Sequence, residues 1–190
     1  MMMGGVPEPR ARGDCLAPTR RVLLGRPLDF MFEDHLRERA ICAMLDRTAT
    51  MEVPDPGEAT HAAGFLSAEL PVHLADEEEY LFPLLRRRCT PEDDIDRALD
   101  RLQADHPHAD FDTPRVVELL RDAANGSEVT TAARGRLARF AAHARRHLIF
   151  ENAIVLPFAR SRLTPKEPPG PRSFDASAPR ARCAGGECTC

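Results

Sequence analysis

The sequence contains no apolar run long enough to cross a bilayer, and its first residues include no apolar core of signal-peptide length. A membrane-spanning helix needs about 18 consecutive apolar residues, so the first absence excludes a helical membrane protein. The second absence predicts a cytoplasmic protein, in which the six cysteines are reduced thiols.

Excess charge of one sign and strand-like patterning are also missing. The chain has 26 Lys and Arg against 30 Asp and Glu, and every cluster of basic residues has acidic residues beside it. This balance gives no reason to expect a nucleic-acid partner. Trp is absent and Tyr occurs once, and the 43% apolar content suits a helical core. Because no segment alternates between polar and apolar residues, the pattern predicts an all-α protein.

The length of 190 residues fits one domain with two tails. Residues 1–26 are rich in Pro, Gly and Arg and predict a flexible leader, and residues 164–190 predict a second disordered tail. The helical domain then occupies residues 27–163. Cys183, Cys188 and Cys190 crowd the second tail, which is either a soft-metal or redox element or a disordered end that carries thiols.

Apolar residues recur at helical spacing in four stretches between the tails. The predicted helices cover residues 28–50, 58–88, 91–124 and 129–160. Pro71, Pro83 and Pro107 fall inside these stretches, and each is expected to bend, interrupt or end its helix because proline removes a backbone hydrogen bond. Four amphipathic helices joined by short turns predict an antiparallel, up-down-up-down four-helix bundle.

The most informative pattern occurs twice. His73 precedes Glu77 by four residues and Leu81-Phe82-Pro83 follows, while His147 precedes Glu151 by four residues and Val155-Leu156-Pro157 follows. Residues i and i+4 lie on one face of a helix, so each copy presents an imidazole and a carboxylate to the same point. Two such helices that face each other supply most of a dinuclear metal site.

Two further histidines, His35 and His106, lie on the other two predicted helices. On each pair of successive helices, the two histidines lie almost the same number of residues from the predicted turn between them. This equal spacing places all four histidines at one height in an antiparallel bundle. Four imidazoles and two carboxylates in a dry bundle would cost several kcal/mol for each uncompensated ion. The set therefore predicts bound metal.

These residues, in this order, resemble the hemerythrin-like (HHE cation-binding) family over roughly residues 28–160. The resemblance implies a non-heme di-iron centre in which Glu77 and Glu151 bridge the two irons and each histidine binds one iron. The metal ligands that it implies are His35, His73, Glu77, His106, His147 and Glu151. The positive charge of two ferrous ions exceeds the negative charge of two carboxylates. The remaining positive charge favours an oxo or hydroxo group as a third bridge.

The sequence departs from the oxygen carriers of that family, which have a fifth histidine one turn along the third helix. Asp110 stands at that position here, and His143 lies one turn before His147 on the fourth helix instead. His143 is a candidate fifth ligand, and the alternative is a histidine beside the metal. Glu78 is a candidate hydrogen-bond partner for a ligand histidine, and Tyr80 is a candidate donor to a bound oxygen species.

The resemblance implies a protein that binds O2 or a related ligand such as NO, as a carrier or a sensor. The alternatives are an enzyme acting on peroxide or NO at the same centre, and an iron storage or sensing protein. Titratable groups beside an open metal position favour turnover, whereas an aliphatic pocket favours reversible binding. The sequence favours a protein that is not an enzyme, and it identifies no protein partner.

Overall fold

The computed structural model describes Leu23 and residues 26–163, and every regular element within them is helical. Four helical segments follow one another. Segment 1 is α1 (Pro27–Thr50). Segment 2 contains α2 (Pro56–Ala68), α3 (Leu70–Asp76), a π-helical turn (Glu77–Leu81) and α4 (Phe82–Arg88). A 3₁₀ turn (Pro91–Asp93) leads to segment 3, which is α5 (Ile95–Ala124), and segment 4 contains α6 (Thr131–Phe150), a second π-helical turn (Glu151–Val155) and α7 (Leu156–Arg162).

Local signals explain where several segments begin and end. The Asp55 side chain accepts hydrogen bonds from the first backbone N–H groups of α2, and Pro56 occupies the first helical position, where no N–H is needed. Thr130 caps α6 by accepting a hydrogen bond from the Ala133 N–H. Gly126 ends α5 with a φ of 83°, a conformation that glycine adopts without strain.

Neighbouring segments run in opposite directions. Arg47, near the end of α1, pairs with Glu58 near the start of α2, and Arg37, further back in α1, pairs with Glu69 just after α2. The other neighbours show the same order of pairing. Glu78 pairs with His106 and Arg86 with Asp96 between segments 2 and 3, and Asp105 lies near His147 and Asp112 pairs with Arg136 between segments 3 and 4. Between segments 1 and 4, Asp46 pairs with Arg145 and Asp29 with Arg160. The predicted all-α fold is confirmed, and the order of these pairs supports the predicted antiparallel bundle.

Two clusters of buried apolar side chains fill the bundle on either side of one level. The larger cluster includes Ile41, Leu45, Phe65, Leu66, Leu120 and Leu137. The smaller cluster includes Met31, Phe82, Leu85, Leu99, Leu102 and Val155. In α1, His35 lies between Met31 of the smaller cluster and Ile41 of the larger one. Each buried Leu or Phe contributes roughly 1.5–3 kcal/mol, so the histidine level is held between two stable apolar layers.

The two repeated prolines each follow a π-helical turn that begins at the glutamate of the motif. The Phe82 N–H bonds to the Glu77 carbonyl and the Leu156 N–H bonds to the Glu151 carbonyl, five residues apart instead of four. A proline ring has no N–H and clashes with the carbonyl four residues earlier, so a regular α-turn cannot continue through Pro83. The widened turn removes the clash, and such turns are frequent at functional sites.

The other prolines behave in two ways. Pro71 lies at the second position of α3, directly after the break that separates α2 from α3, as predicted for an interrupting proline. Pro107 and Pro114 lie inside α5, which runs unbroken from Ile95 to Ala124. The expectation that the helix could end at Pro107 is therefore wrong. α5 packs against segments 2 and 4, and this packing holds the helix together despite the lost hydrogen bonds.

The expected leader over residues 1–26 and the expected tail over residues 164–190, with Cys183, Cys188 and Cys190, lie outside the described residues except for Leu23 and Arg26. The domain bounds of 27–163 stay a prediction. Among the residues that the structure describes, no helix has both the length and the apolar character that a bilayer crossing requires.

We expect Pro83→Ala to reduce metal binding while the helix content is kept. The substitution restores an N–H and removes the ring, so the regular α-turn competes with the widened turn that positions Glu77. The measurements are far-ultraviolet circular dichroism and metal content per chain. Pro114→Ala is the control, because it changes a proline inside α5, which contains no π-helical turn. Equal metal content in both variants would contradict the role given to Pro83.

Candidate metal centre

Six of the predicted metal ligands converge inside the bundle, and all are buried. The four segments supply them, with His35 on α1, His73 on α3, Glu77 at the start of the first π-helical turn, His106 on α5, His147 on α6 and Glu151 at the start of the second π-helical turn. Their potential ligand atoms form two groups in which all atoms lie within 4.8 Å of one another. The first group is His35, His73, Glu77 and Glu151, and the second group is Glu77, His106 and His147.

Glu77 belongs to both groups and presents one carboxylate oxygen to each. Its Oε1 lies 3.3 Å from His73 Nε2, and its Oε2 lies 3.4 Å from His106 Nε2. Burial acts to raise the pKa of Glu77, but the neighbouring His73, His106 and His35 together outweigh it and hold the pKa well below its usual range. An ionised carboxylate whose two oxygens face different imidazoles has the arrangement of a bridging ligand.

Glu151 faces one histidine of each group with a single oxygen. Its Oε2 lies 3.4 Å from His35 Nε2 and 3.6 Å from His147 Nε2. Burial, and next the negative charge of Glu77, raises the pKa of Glu151 well above its usual range. Two carboxylates this close do not both ionise without a cation, so the metal-free fold holds a proton here that a bound metal would displace.

The atoms that face the centre are buried and have no hydrogen-bond partner among the described residues. They are the Nε2 atoms of His35, His73, His106 and His147 and both carboxylate oxygens of Glu77 and Glu151. A buried polar atom without a partner costs about 1–3 kcal/mol, so eight such atoms at one point need cations. Imidazole nitrogens combined with carboxylate oxygens suit iron, zinc or copper. The residues therefore fit a pair of transition-metal ions.

Carboxylates lie behind both histidines of the second group, and one of them forms a hydrogen bond that orients its histidine. The His106 Nδ1–H donates to Glu78 Oε1 at 2.7 Å, which is the hydrogen bond predicted for Glu78. Asp105 Oδ2 lies 3.7 Å from His147 Nδ1. Burial lowers the pKa of His147 to about 4, so this imidazole is neutral at pH 7. With the proton on Nδ1, the Nε2 lone pair of His106 faces the centre, as a metal ligand requires.

A neutral amide orients His35 instead. Its Nδ1–H donates to Asn152 Oδ1 at 3.3 Å, and the Asn152 amide donates to the Leu148 carbonyl at 2.7 Å, which fixes the direction of the amide. Sequence reasoning missed Asn152 and Asp105. Each stands next to a ligand in the sequence, but only the helix packing shows that it faces a histidine on another segment.

Glu38 is a further buried acid that the sequence analysis missed. It lies three residues after His35, on the same side of α1, and is 6% exposed. Burial raises its pKa, although the nearby His73 and His35 oppose the shift. The helical spacing from His35 is the signal that could have found it.

His143 lies beside the centre and is not among the residues of either group. It is half-buried and lines a cavity together with Glu38, His106 and His147. Its ring meets the ring of the exposed His108 edge to face, with 6.0 Å between centroids. Tyr80, by contrast, is 38% exposed and does not line this cavity. The cavity therefore brings titratable groups to the second group of ligands.

Fold and site together define a helical protein with a buried cation-binding centre. The family model of the hemerythrin HHE cation binding domain matches residues 26–159, and the chain belongs to this family. Comparison with curated proteins and with solved structures gave no significant match.

We expect about two irons per chain when iron is supplied, and a sharp loss of iron in His73→Ala and in His147→Ala. Each substitution removes one imidazole from a different group of ligands. Elemental analysis of the purified variants measures the loss. His108→Ala is the control, because His108 is an exposed histidine outside both groups. Full iron loading in the double variant would contradict the assignment.

The shifted pKa of Glu151 predicts a pH dependence in the metal-free protein. A raised folded pKa stabilises the fold below the usual glutamate pKa, and this stabilisation is lost as the pH rises through the folded pKa. Glu151→Gln has no carboxyl group to lose this stabilisation, so its melting temperature should rise relative to that of wild type between pH 5 and pH 8. The expected rise is about 2–4 °C for each kcal/mol of unfolding free energy that wild type loses.

The measurement is thermal unfolding of chelator-treated protein, with the exposed Glu52→Gln as control. Iron should raise the melting temperature of wild type, because it binds only the folded state, and should raise that of Glu151→Gln less. Parallel pH curves for wild type and Glu151→Gln would show that Glu151 takes up no proton on folding.

Proposed function

We propose that the protein is a di-iron protein that binds O2 or a related ligand such as NO, as a carrier or a sensor. The sharing of Glu77 between two groups of ligand atoms is the observation that carries this proposal. A single metal ion would leave one carboxylate oxygen of Glu77 and the histidine beside it without a partner. Two ions use both, and the family to which the chain belongs binds cations.

Each of the six buried ligands has a proposed role. Glu77 and Glu151 bridge the two positions, while His35 and His73 serve one and His106 and His147 serve the other. Iron at these positions would supply a redox-active Lewis acid with coordination positions open to a small ligand. An oxo or hydroxo group would complete the bridge. His143 stays a candidate ligand, and its place on the cavity wall favours the alternative role beside the metal.

The apolar clusters above and below the centre support reversible binding. They keep water and external acids away from the bound ligand, which limits the proton supply that reduction of oxygen requires. An enzyme acting on peroxide or NO is the second candidate, because the cavity wall includes Glu38, Asp105 and His143 and is not purely aliphatic. Iron storage or sensing is a third candidate, and storage would require more than two irons per chain.

Optical spectra test the proposal directly. The anaerobically reduced protein should gain a visible absorption band on exposure to O2 and lose it again on purging, through repeated cycles. Multiple-turnover consumption of peroxide or NO would favour the enzyme. A protein with two irons and no response to O2 or NO would contradict ligand binding while leaving the metal site intact.

His143→Leu separates the two candidates. If the protein is a carrier or sensor, the variant should keep most of its iron but oxidise faster or show a shifted spectrum, since an imidazole beside the ligand is lost. His143→Gln, which keeps a hydrogen-bonding side chain, should behave more like wild type. Rapid turnover by wild type that disappears in His143→Leu would establish the enzyme instead.

A further inference from the structure

An ion pair joins the two segments that carry His35 and His73, the histidines of the first group. Arg37 follows His35 by two residues in α1, and its Nη1 and Nη2 donate to Glu69 Oε2 at 2.6 Å and to Glu69 Oε1 at 3.0 Å. Two parallel hydrogen bonds of this kind hold a planar guanidinium and a carboxylate in one relative orientation. The Arg37 side chain is 7% exposed, so this contact is held within the packed seam between α1 and segment 2.

Two further contacts restrain the Arg37 guanidinium. It lies over the ring of Phe65, 5.3 Å from the ring centroid, and Phe65 belongs to the larger apolar cluster. Its Nη1 also donates to Asp34 Oδ1, one turn earlier in α1, at 3.4 Å. A cation over an aromatic face is attracted to it. A guanidinium that is restrained in this way can fix the position of its partner, Glu69.

Glu69 is the single residue between α2 and α3. Its N–H donates to the Phe65 carbonyl at 2.9 Å, and its own carbonyl accepts a hydrogen bond from the His73 N–H at 3.0 Å. Pro71, at the second position of α3, has no N–H, so fewer backbone hydrogen bonds cross this break than cross a continuous helix. The side-chain contact with Arg37 therefore falls where segment 2 bends most easily, one turn before His73.

The corresponding place in the second repeat is built differently. Four residues before His147, where the first repeat has Glu69, segment 4 has His143. α6 runs unbroken through this position, from Thr131 to Phe150. In a continuous helix, backbone hydrogen bonds alone set the position of His147 along the segment. The contact of Glu69 with α1 therefore serves the first group of ligands.

We propose that Arg37 and Glu69 are positioning residues that set the metal affinity of the first group by fixing α3 against α1. The inference rests on the proposed di-iron function, and it gives one of the two metal positions a control of its own. The rings of His35 on α1 and His73 on α3 meet edge to face, with 5.1 Å between centroids. Because metal–ligand distances vary by only about 0.2 Å, a small shift of α3 prevents both imidazoles from reaching one ion.

The test is a zinc titration of the full-length, metal-free protein against a competing chelator, followed by the NMR signals of the ligand imidazoles. Zinc suits the same imidazole and carboxylate ligands and has no unpaired electron. In Arg37→Gln, the free zinc concentration that half-saturates the His35 and His73 signals should rise about tenfold or more. The signals of His106 and His147 should respond within about threefold of wild type.

Arg47→Gln is the matched control. Arg47 makes the same kind of two-bond contact between α1 and α2, donating to Glu58 at 2.8 and 2.7 Å. It lies twelve residues after His35, which is about 18 Å along the helix. This variant loses a comparable ion pair between the same segments, and all four ligand imidazoles should keep wild-type zinc affinity.

A second variant guards against misfolding in Arg37→Gln. The Glu69 side chain is 44% exposed, so Glu69→Gln should fold normally and reproduce the selective loss of zinc affinity. The double variant should bind zinc no more weakly than either single variant, because both changes break one contact.

Equal weakening at all four imidazoles, or wild-type affinity at His35 and His73 in both single variants, would overturn the inference. Iron content reports separately on the proposed function. A wild-type protein that takes up fewer than two irons per chain would contradict that function, whereas two irons without the selective zinc effect would contradict only the role given to Arg37 and Glu69.

Discussion

The fold depends on one electrostatic constraint, which is the burial of two carboxylates and four imidazoles at a single level of the bundle. Their inward-facing atoms have no hydrogen-bond partner among the described residues. Burial and the negative charge of Glu77 raise the pKa of Glu151, while the histidines lower the pKa of Glu77, so a proton on Glu151 is favoured without metal. Cations at this level convert an unfavourable cluster into a stabilising one.

The surrounding helices meet this constraint in two ways. Apolar clusters on both sides of the level supply the stability that the polar cluster removes, and they exclude the water that would otherwise solvate its atoms. The widened turns begin at Glu77 and Glu151, and the prolines that follow make those turns preferable to a regular helix. Proline, usually a helix breaker, here accompanies each of the two widened turns that begin at a glutamate of the site.

The two groups of ligand atoms differ in what stands behind their histidines. Carboxylates, Glu78 and Asp105, stand behind the histidines of the second group, whereas a neutral amide, Asn152, stands behind His35 of the first. A carboxylate that accepts a hydrogen bond makes an imidazole a stronger metal ligand, so His106 is expected to be a stronger ligand than His35. The second group also meets the cavity.

The amino-acid sequence by itself determined the helices and the chemistry that each one carries. Apolar periodicity and turn residues are local properties, and residues four apart on a helix share a face. The pairing of His73 with Glu77 and of His147 with Glu151 therefore follows from their spacing alone. The unbroken course of α5 through Pro107 does not, because contacts with other segments outweigh the local signal.

Only the tertiary structure decided how Glu77 divides its oxygens, which outer groups reach the histidines, and where the cavity lies. Those features join atoms on different helices, and their distances depend on packing angles and side-chain rotamers that sequence spacing does not specify.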